Sequence, residues 1–207
     1  MGKVTVTIAR QYGSDGTEVG RKIAARLGCE FYDRKLIELA AKESGFDPDV
    51  IEDVDEKATN SLLYSLSYGR PIAGDALSHI NLPLNDKIFA IQSSIIKKIA
   101  DGENSAVVVG RCADYVLADH PDAVRIYIFS DFDRRVERVA KRRDLNPSKA
   151  KDEVIRIDKR RAGYYNYYTG RKWGRIENYD LVINVDKTGT DGAVEVILEY
   201  LSRAVKE

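Results

Sequence analysis

A chain of 207 residues is long enough for one domain with a sizeable core and a lid, and 43% of its residues are hydrophobic. Its 33 basic residues balance 33 acidic ones, so the overall charge selects no class of partner. The charge is uneven, however. Residues 131–175 contain 15 basic and 7 acidic side chains, which suits an anionic ligand or a nucleic acid, or else a solvated helix face.

The two cysteines, Cys29 and Cys112, have apolar neighbours and match no metal-binding spacing. We therefore expect reduced, buried thiols in a cytoplasmic protein. The chain starts with a strand pattern rather than an apolar leader, and no run of 18 apolar residues occurs. The sequence thus predicts neither secretion nor a membrane span.

The first predicted element is a strand over residues 3–10, where apolar residues alternate with β-branched threonines. A glycine-containing turn follows, and the spacing of Val19, Ile23, Ala24 and Leu27 predicts a helix over residues 17–27. A strand, a glycine-rich turn and a helix N-terminus together can bind phosphate through unpaired backbone N–H groups and the helix dipole. An ordinary strand-to-helix turn is the alternative interpretation.

This turn lacks the lysine of the usual phosphate-binding loop, Gly-x-x-x-x-Gly-Lys-Ser/Thr. If Thr17 is taken as the hydroxyl residue, Gly16 stands at the lysine position and Arg10 at the first glycine position. We predict that the donor phosphates contact residues of this turn, namely Gly13, Ser14, Asp15, Gly16, Thr17 and Glu18. Thr17 is also the predicted Mg²⁺ ligand.

Strands and helices then alternate along the chain. Residues 47–82 are less regular and rich in Ser, Asn, Tyr and Gly. Ser130 is a plausible N-cap for the helix that follows it. The predicted strands are 29–32, 105–109, 124–129 and 180–185, and the predicted helices are 34–44, 84–101, 131–143, 146 to about 165, and 190–204.

This alternation predicts a three-layer α/β fold in which helices flank a parallel sheet. Right-handed crossovers bring the carboxyl ends of the strands to one edge, where ligands bind. Four groups are expected there: the turn at Gly13, Asp33, the pair Gly110-Arg111, and the pair Ser130-Asp131.

Several of these residues have alternative roles. Arg111 directly follows an apolar strand and can hold a phosphate with two hydrogen bonds, or it can pair with Asp114. Asp33 can accept a hydrogen bond from a ligand hydroxyl or cap the next helix.

The basic segment 141–175 contains Asp158 and Arg161 on one helix face, where the carboxylate can orient the guanidinium towards a polyphosphate or form an ordinary surface pair. Its aromatic run, residues 164–174, can stack on bases, pack a hinge or form a dimer contact. The acidic cluster of residues 52–56 is interpreted as a solvated face, and the alternative is a role at a metal or partner site.

The chain resembles the cytidylate kinase-like family of the nucleoside monophosphate kinases, which belong to the P-loop kinases. The resemblance is carried by VTIARQYGSDGTEVGRKIA, FYDRKLIELAA, VVVGRCADYVL, RIDKRRAGYYNYYTGRKWG and NYDLVIN. It implies a P-loop nucleotide kinase fold with a helical lid, in which 34–82 is the acceptor-binding segment and 141–175 the basic lid of a single domain, 1–207.

The resemblance also implies roles for individual residues. Arg111 matches an arginine that holds the acceptor phosphate, and Asp33 matches an aspartate beside the acceptor nucleotide. Asp158 and Arg161 match an Asp-x-x-Arg pair whose arginine contacts phosphates during transfer. Cys112 occurs where cytidylate kinases have aspartate in Gly-Arg-Asp. Two departures lie in the first turn: the lysine of cytidylate kinases falls at Gly16, and relatives have glycine and arginine where this chain has Asp15 and Thr17.

These observations predict an ATP- and Mg²⁺-dependent phosphotransferase acting on a nucleoside monophosphate or another small acceptor. The alternative is a catalytically weak or inactive nucleotide-binding regulator. Membrane association is not expected, a nucleic-acid partner is disfavoured, and apolar isoleucine and tyrosine stripes leave a homodimer open. The predicted catalytic residues are Arg161, Asp158 and Arg10; Arg142 is assigned to the donor, and Asp33, Arg111, Asp114, Arg160 and Arg171 to the acceptor.

Overall fold

The computed structural model describes residues 2–49, 51 and 83–205. Within these residues, five parallel strands form one sheet in the order β2-β3-β1-β4-β5. The strands are β1 Thr5–Arg10, β2 Glu30–Tyr32, β3 Ala106–Val109, β4 Ala123–Phe129 and β5 Leu181–Asn184. The predicted parallel α/β fold is confirmed.

Helices connect the strands. They are α1 Gly16–Leu27, α2 Arg34–Ser44, α3 Leu84–Asp101, α4 Ala113–Val116, α5 Phe132–Arg143, α6 Pro147–Thr169 and α7 Val185–Ala204, and a 3₁₀ turn covers Ile176–Asn178. None of the helices in the described part of the chain is long and apolar enough to cross a membrane.

The hydrophobic core lies on both faces of the sheet. On one face, Val6, Ile8 and Ile126 pack against α1 and α7. On the other, Val108 packs with residues of α2, α3 and α4. Because both faces are covered, Thr5 and Thr7 are as fully buried as the valines between which they alternate.

Three details of the elements differ from the sequence prediction. Helix α6 extends to Thr169, and its Tyr168 stacks on Phe89 of α3 with ring centroids 4.1 Å apart. Helix α7 begins at Val185, although a non-helical Gly189 divides it, so that its second part is the predicted helix. Ser130 does not cap α5, because Asp131 holds that position and the Ser130 hydroxyl bonds to Asp186.

The isoleucine stripe of α3 faces the chain's own core. Ile88 and Ile95 of α3 are buried in the chain's own core, and Ile91 and Ile99 pack against it. Both cysteines are free thiols, with Cys112 buried and Cys29 half-buried. The acidic cluster of residues 52–56 and most of segment 47–82 lie outside the described residues.

Candidate functional site

The turn after β1 is built by its own backbone and by α5. Gly13 has a φ of 78°, and a Cβ there would lie 3.0 Å from both the Arg135 carbonyl oxygen and a Val139 methyl group. The fully buried Ser14 donates its hydroxyl proton to the carbonyls of Gln11 and Ile128, at 2.9 and 3.3 Å. The Ser14 hydroxyl therefore stabilises the turn and does not face a ligand.

A cavity of about 390 Å³, here called the turn pocket, opens beside this turn. The N-terminus of α1 contributes Gly16, Thr17 and Glu18 to its wall. The other lining residues are Arg10, Gln11, Tyr12, Gly13, Asp15, Arg21, Arg142 and Arg161. Four arginines against two carboxylates give the lining a positive balance, and the helix N-terminus adds to it.

Arg10 occupies the space that a lysine at residue 16 would need. A Cβ at Gly16 would lie 2.6 Å from the Arg10 Cβ. The Arg10 Nε donates to the Thr17 hydroxyl at 3.4 Å, and its Nη2 lies 3.6 Å from an Asp33 carboxylate oxygen. Burial lowers the pKa of Arg10, and the Asp33 carboxylate acts in the opposite direction.

Asp33 lies at the N-cap position of α2, but its side chain makes no capping hydrogen bond. Its described partner is Arg10. The capping alternative is therefore wrong, and the carboxylate is directed at the cation of the turn.

Asp15 faces arginines of α5. It has a left-handed backbone with a φ of 60°, and its carboxylate lies 2.5 Å from Arg142 and 3.6 Å from Arg138. Arg142 was predicted to contact the donor; in the structure it lines the turn pocket and pairs with Asp15. The Asp15 carboxylate is thereby neutralised by arginines of α5.

A second cavity of about 170 Å³, the strand-end pocket, lies at the carboxyl ends of β1 and β3. The predicted acceptor residues Arg111, Asp114 and Arg160 line it, whereas Arg171 lies against the Tyr115 ring, 5.2 Å from its centroid. The remaining lining residues are Ala9, Arg10, Gly110, Cys112, Arg161, Tyr164, Tyr165 and Trp173.

The backbone at the mouth of this pocket is strained. Gly110, Arg111 and Cys112 have consecutive φ values of 76°, 55° and 54°. Non-glycine residues rarely adopt this region, and such runs persist where the surroundings enforce them. A Cβ at Gly110 would collide with the guanidinium of Arg10, so the turn after β3 closes against the cation of the turn after β1.

Asp114 is buried at 4% exposure and accepts a hydrogen bond of 2.7 Å from the Tyr165 hydroxyl. Burial raises the pKa of Asp114 to about 6, and the hydrogen bond from Tyr165 partly offsets that rise. The Asp114 carboxylate is therefore not at the surface. It is a buried group of the strand-end pocket.

Arg161 lies between the two pockets. It lines both, as Arg10 does. Its Nη1 donates to the Arg10 carbonyl at 3.0 Å, and its guanidinium lies 5.6 Å from the centroid of the Tyr12 ring. Burial and the nearby charge of Arg10 lower the pKa of Arg161 to about 9.

The expected Asp158–Arg161 pair is wrong. Asp158 forms its ion pair with Arg135, and its other oxygen accepts a 2.8 Å hydrogen bond from the Tyr12 N–H. Both carboxylate oxygens are therefore engaged by the turn and α5. Asp158 fixes the turn rather than its i+3 neighbour.

Sequence reasoning missed Tyr12, Arg135 and Arg138. Arg135 is 5% exposed, and its Nε donates to the Ser130 carbonyl at 3.1 Å. Arg138 bonds to the Gly13 carbonyl at 2.7 Å and pairs with Asp186. In the sequence these arginines are two of fifteen basic residues in one block, and no local pattern separates buried members from exposed ones.

The described architecture is a five-stranded parallel sheet flanked by helices. Shikimate kinases share it: that of Bacteroides thetaiotaomicron has a TM-score of 0.56 at 12% identity, covering 96% of this chain and 98% of that one. A shikimate kinase of Acinetobacter baumannii, solved with shikimate, has a TM-score of 0.53 at 14% identity, covering 99% and 96%. These similarities concern the fold.

Over residues 5–187 the sequence matches the profile of the cytidylate kinase-like family. The chain belongs to this family. A solved but uncharacterised protein from Eubacterium ventriosum is also similar, with a TM-score of 0.71 at 25% identity over 97% of this chain and 99% of that one.

Curated relatives include a uronate isomerase of Corynebacterium glutamicum, 29% identical over 72% of this chain. Cytidylate kinases of Halobacterium salinarum and Sulfurisphaera tokodaii are 24% and 28% identical over 50% and 58% of this chain. The matched region spans 29% of the isomerase and 54% and 70% of the two kinases.

Proposed function

We propose that this chain is an ATP-dependent phosphotransferase of the nucleotide kinase type. The turn pocket binds the donor phosphates, and the strand-end pocket binds a nucleoside monophosphate or another small acceptor. One observation carries the proposal: Arg10 and Arg161 line both pockets, so a group passing from one to the other would meet two guanidinium cations at the boundary.

The residues of the turn pocket fit a nucleoside triphosphate with its metal ion. Arginine forks and the α1 N-terminus suit phosphate oxygens. Mg²⁺ prefers oxygen ligands and commonly takes one or two from the protein and the rest from phosphates and water. The Thr17 hydroxyl would supply such an oxygen, and Mg²⁺ would neutralise phosphate charge.

Phosphoryl transfer depends mostly on positioning and charge neutralisation, so arginines can do much of the work. Arg10 would supply the cation that lysine provides in the usual loop, while Arg161 would stabilise the transferring group. Arg111 and Arg160 would hold the acceptor, with Asp114 as its carboxylate contact and Asp33 orienting Arg10. Helix α6 would act as the lid that carries Arg160 and Arg161.

The test is ADP formation from ATP and Mg²⁺ with a panel of nucleoside monophosphates and small hydroxy acids. Arg161→Ala should lower kcat on the order of 10³-fold, the scale seen for a transition-state arginine. Arg134→Ala, an exposed arginine of α5 paired with Glu137, is the matched control and should leave kcat unchanged. Equal activity of the wild type and Arg161→Ala would contradict the proposal.

One observation favours the second candidate, a nucleotide-binding regulator. The Asp15–Arg142 ion pair lies across the turn pocket and keeps one of its cations occupied. Tight, Mg²⁺-dependent ATP binding without turnover over the whole acceptor panel would support the regulator and exclude the kinase.

A further inference from the structure

Tyr12 connects the turn after β1 to helix α6 through each part of the residue. Its N–H donates to Asp158 at 2.8 Å, and its carbonyl accepts from Arg135 at 3.2 Å. Its hydroxyl donates to Glu153 at 2.7 Å, and its ring lies 5.6 Å from the Arg161 guanidinium. Three of the four partners belong to α6.

These contacts fix the ring from both ends. Asp158 and Arg135 bind the main-chain N–H and carbonyl of Tyr12. They also form an ion pair with each other, which fixes the backbone of the turn. Glu153 holds the hydroxyl and is in turn 3.4 Å from Arg143. The aromatic ring therefore has a defined position against α6, and it cannot move without breaking these bonds.

Arg161 needs such a support. Its described hydrogen bond goes to the Arg10 carbonyl through Nη1, and Asp158 is engaged elsewhere. Burial and the nearby charge of Arg10 disfavour the charged form of Arg161, while the carboxylates of Asp158 and Asp33 favour it only in part. The negative face of an aromatic ring stabilises a guanidinium placed over it, and more strongly where water is excluded.

We propose that Tyr12 is a positioning residue, whose clamped ring holds the Arg161 guanidinium at the boundary between the turn pocket and the strand-end pocket. The catalytic part of this inference rests on the proposed phosphotransferase function. The positional part concerns the ligand-free protein and stands on its contacts alone.

The kinetic test compares Tyr12→Leu and Tyr12→Phe in the wild type and in Arg161→Ala, with radiolabelled ATP so that slow rates remain measurable. Leucine should lower kcat roughly tenfold to thirtyfold with little change in the KM for ATP, because the ring support is lost. Phenylalanine should recover most of that loss, since it keeps the ring and the backbone bonds. In Arg161→Ala the leucine substitution should change kcat by less than about twofold, as expected for residues acting as a unit.

Two kinetic results would overturn the inference. One is an equal loss with phenylalanine and leucine, which would assign the effect to the hydroxyl and Glu153. The other is an equal loss from Tyr12→Leu with and without Arg161, which would make the effect a general structural one. Tyr200→Leu, a tyrosine of α7 remote from the turn, serves as the matched control and should leave the rates unchanged.

The spectroscopic test separates this inference from the proposed function. In an NMR spectrum of the ¹⁵N-labelled arginine side chains, Arg161 is assigned as the signal missing in Arg161→Ala. The Tyr12 ring should shift that signal; the shift should persist in Tyr12→Phe and disappear in Tyr12→Leu. Loss of the shift in phenylalanine, or its survival in leucine, would overturn the positioning role. If the wild type shows the expected shift but no turnover of ATP with any acceptor, the kinase function is refuted and the positioning role of Tyr12 stands.

Discussion

Arg10 and two glycines explain why the turn after β1 has no room for a lysine at residue 16. The Arg10 stem lies so near Gly16 that any side chain there would collide with it, and its guanidinium excludes a Cβ at Gly110. The turns at the ends of two neighbouring strands, β1 and β3, thus close around Arg10. The absence of a lysine and the presence of Arg10 are therefore one structural arrangement rather than two departures from a pattern.

Asp114 should make stability depend on pH. Burial raises its pKa to about 6, whereas an unfolded aspartate titrates near 4. The folded state thus binds more protons between these values, so this group's contribution to stability is present at low pH and is lost as pH rises from about 4 to 6. Asp114→Asn has no such titration. The free energy of unfolding of this variant minus that of the wild type should therefore rise by on the order of 1–3 kcal/mol from pH 4 to pH 7.

Urea unfolding of the two proteins at several pH values measures this difference. Asp119→Asn, an exposed residue shortly after α4, is the control and should show no such trend. If the stability difference between Asp114→Asn and the wild type stays flat or falls as pH rises, burial does not raise the pKa of the Asp114 carboxyl.

At the scale of elements, α5 contacts the turn after β1 through arginines that neutralise Asp15. Asp15 binds Arg142 and approaches Arg138. Asp15→Gly removes a carboxylate, frees a guanidinium and suits the left-handed backbone. We expect ATP to bind roughly three- to tenfold more tightly to this variant, as measured by calorimetric titration.

Asp144→Gly is the matched control, because Asp144 also has a left-handed backbone, with a φ of 51°, but lies exposed at the end of α5. It should change stability without changing ATP affinity. Weaker ATP binding in Asp15→Gly would show instead that the carboxylate helps to hold the donor.

The elements themselves could largely be predicted from the sequence, for physical reasons. The apolar run of β3 and the alternation in β1 are direct consequences of a sheet covered on both faces. The end of α6 was predicted too early, because its last residues are stabilised by tertiary contacts such as Tyr168 on Phe89. Helix propensity and spacing do not contain that information.

The sequence predicted which residues of the site lie at the strand ends, but not which side chains pair with one another there. Parallel topology brings Arg10, Asp33 and Arg111 to one edge, and the structure places them there. The i,i+3 spacing suggested that Asp158 holds Arg161, yet Asp158 is held by Tyr12 and Arg135. Long-range pairing is set by how α6 lies across the turn, which no local pattern encodes.

At the scale of the whole molecule, the turn pocket joins three distant segments: the β1–α1 turn, the end of α5 and the middle of α6. A ligand that binds all three favours the folded state over the unfolded one. With free ATP and Mg²⁺ at 100 times Kd, the free energy of unfolding should increase by about 2.7 kcal/mol. Urea unfolding with and without nucleotide measures that increase.

The variant Arg142→Ala should reduce the stabilisation, because it removes a cation from the pocket and leaves Asp15 less neutralised. A roughly tenfold loss of affinity corresponds to about 1.4 kcal/mol less stabilisation at the same nucleotide concentration. Arg203→Ala, an exposed arginine of α7 paired with Glu199, should behave as wild type. If nucleotide stabilises both variants equally, α5 does not take part in the site, and the turn binds phosphate with β1, α1 and α6 alone.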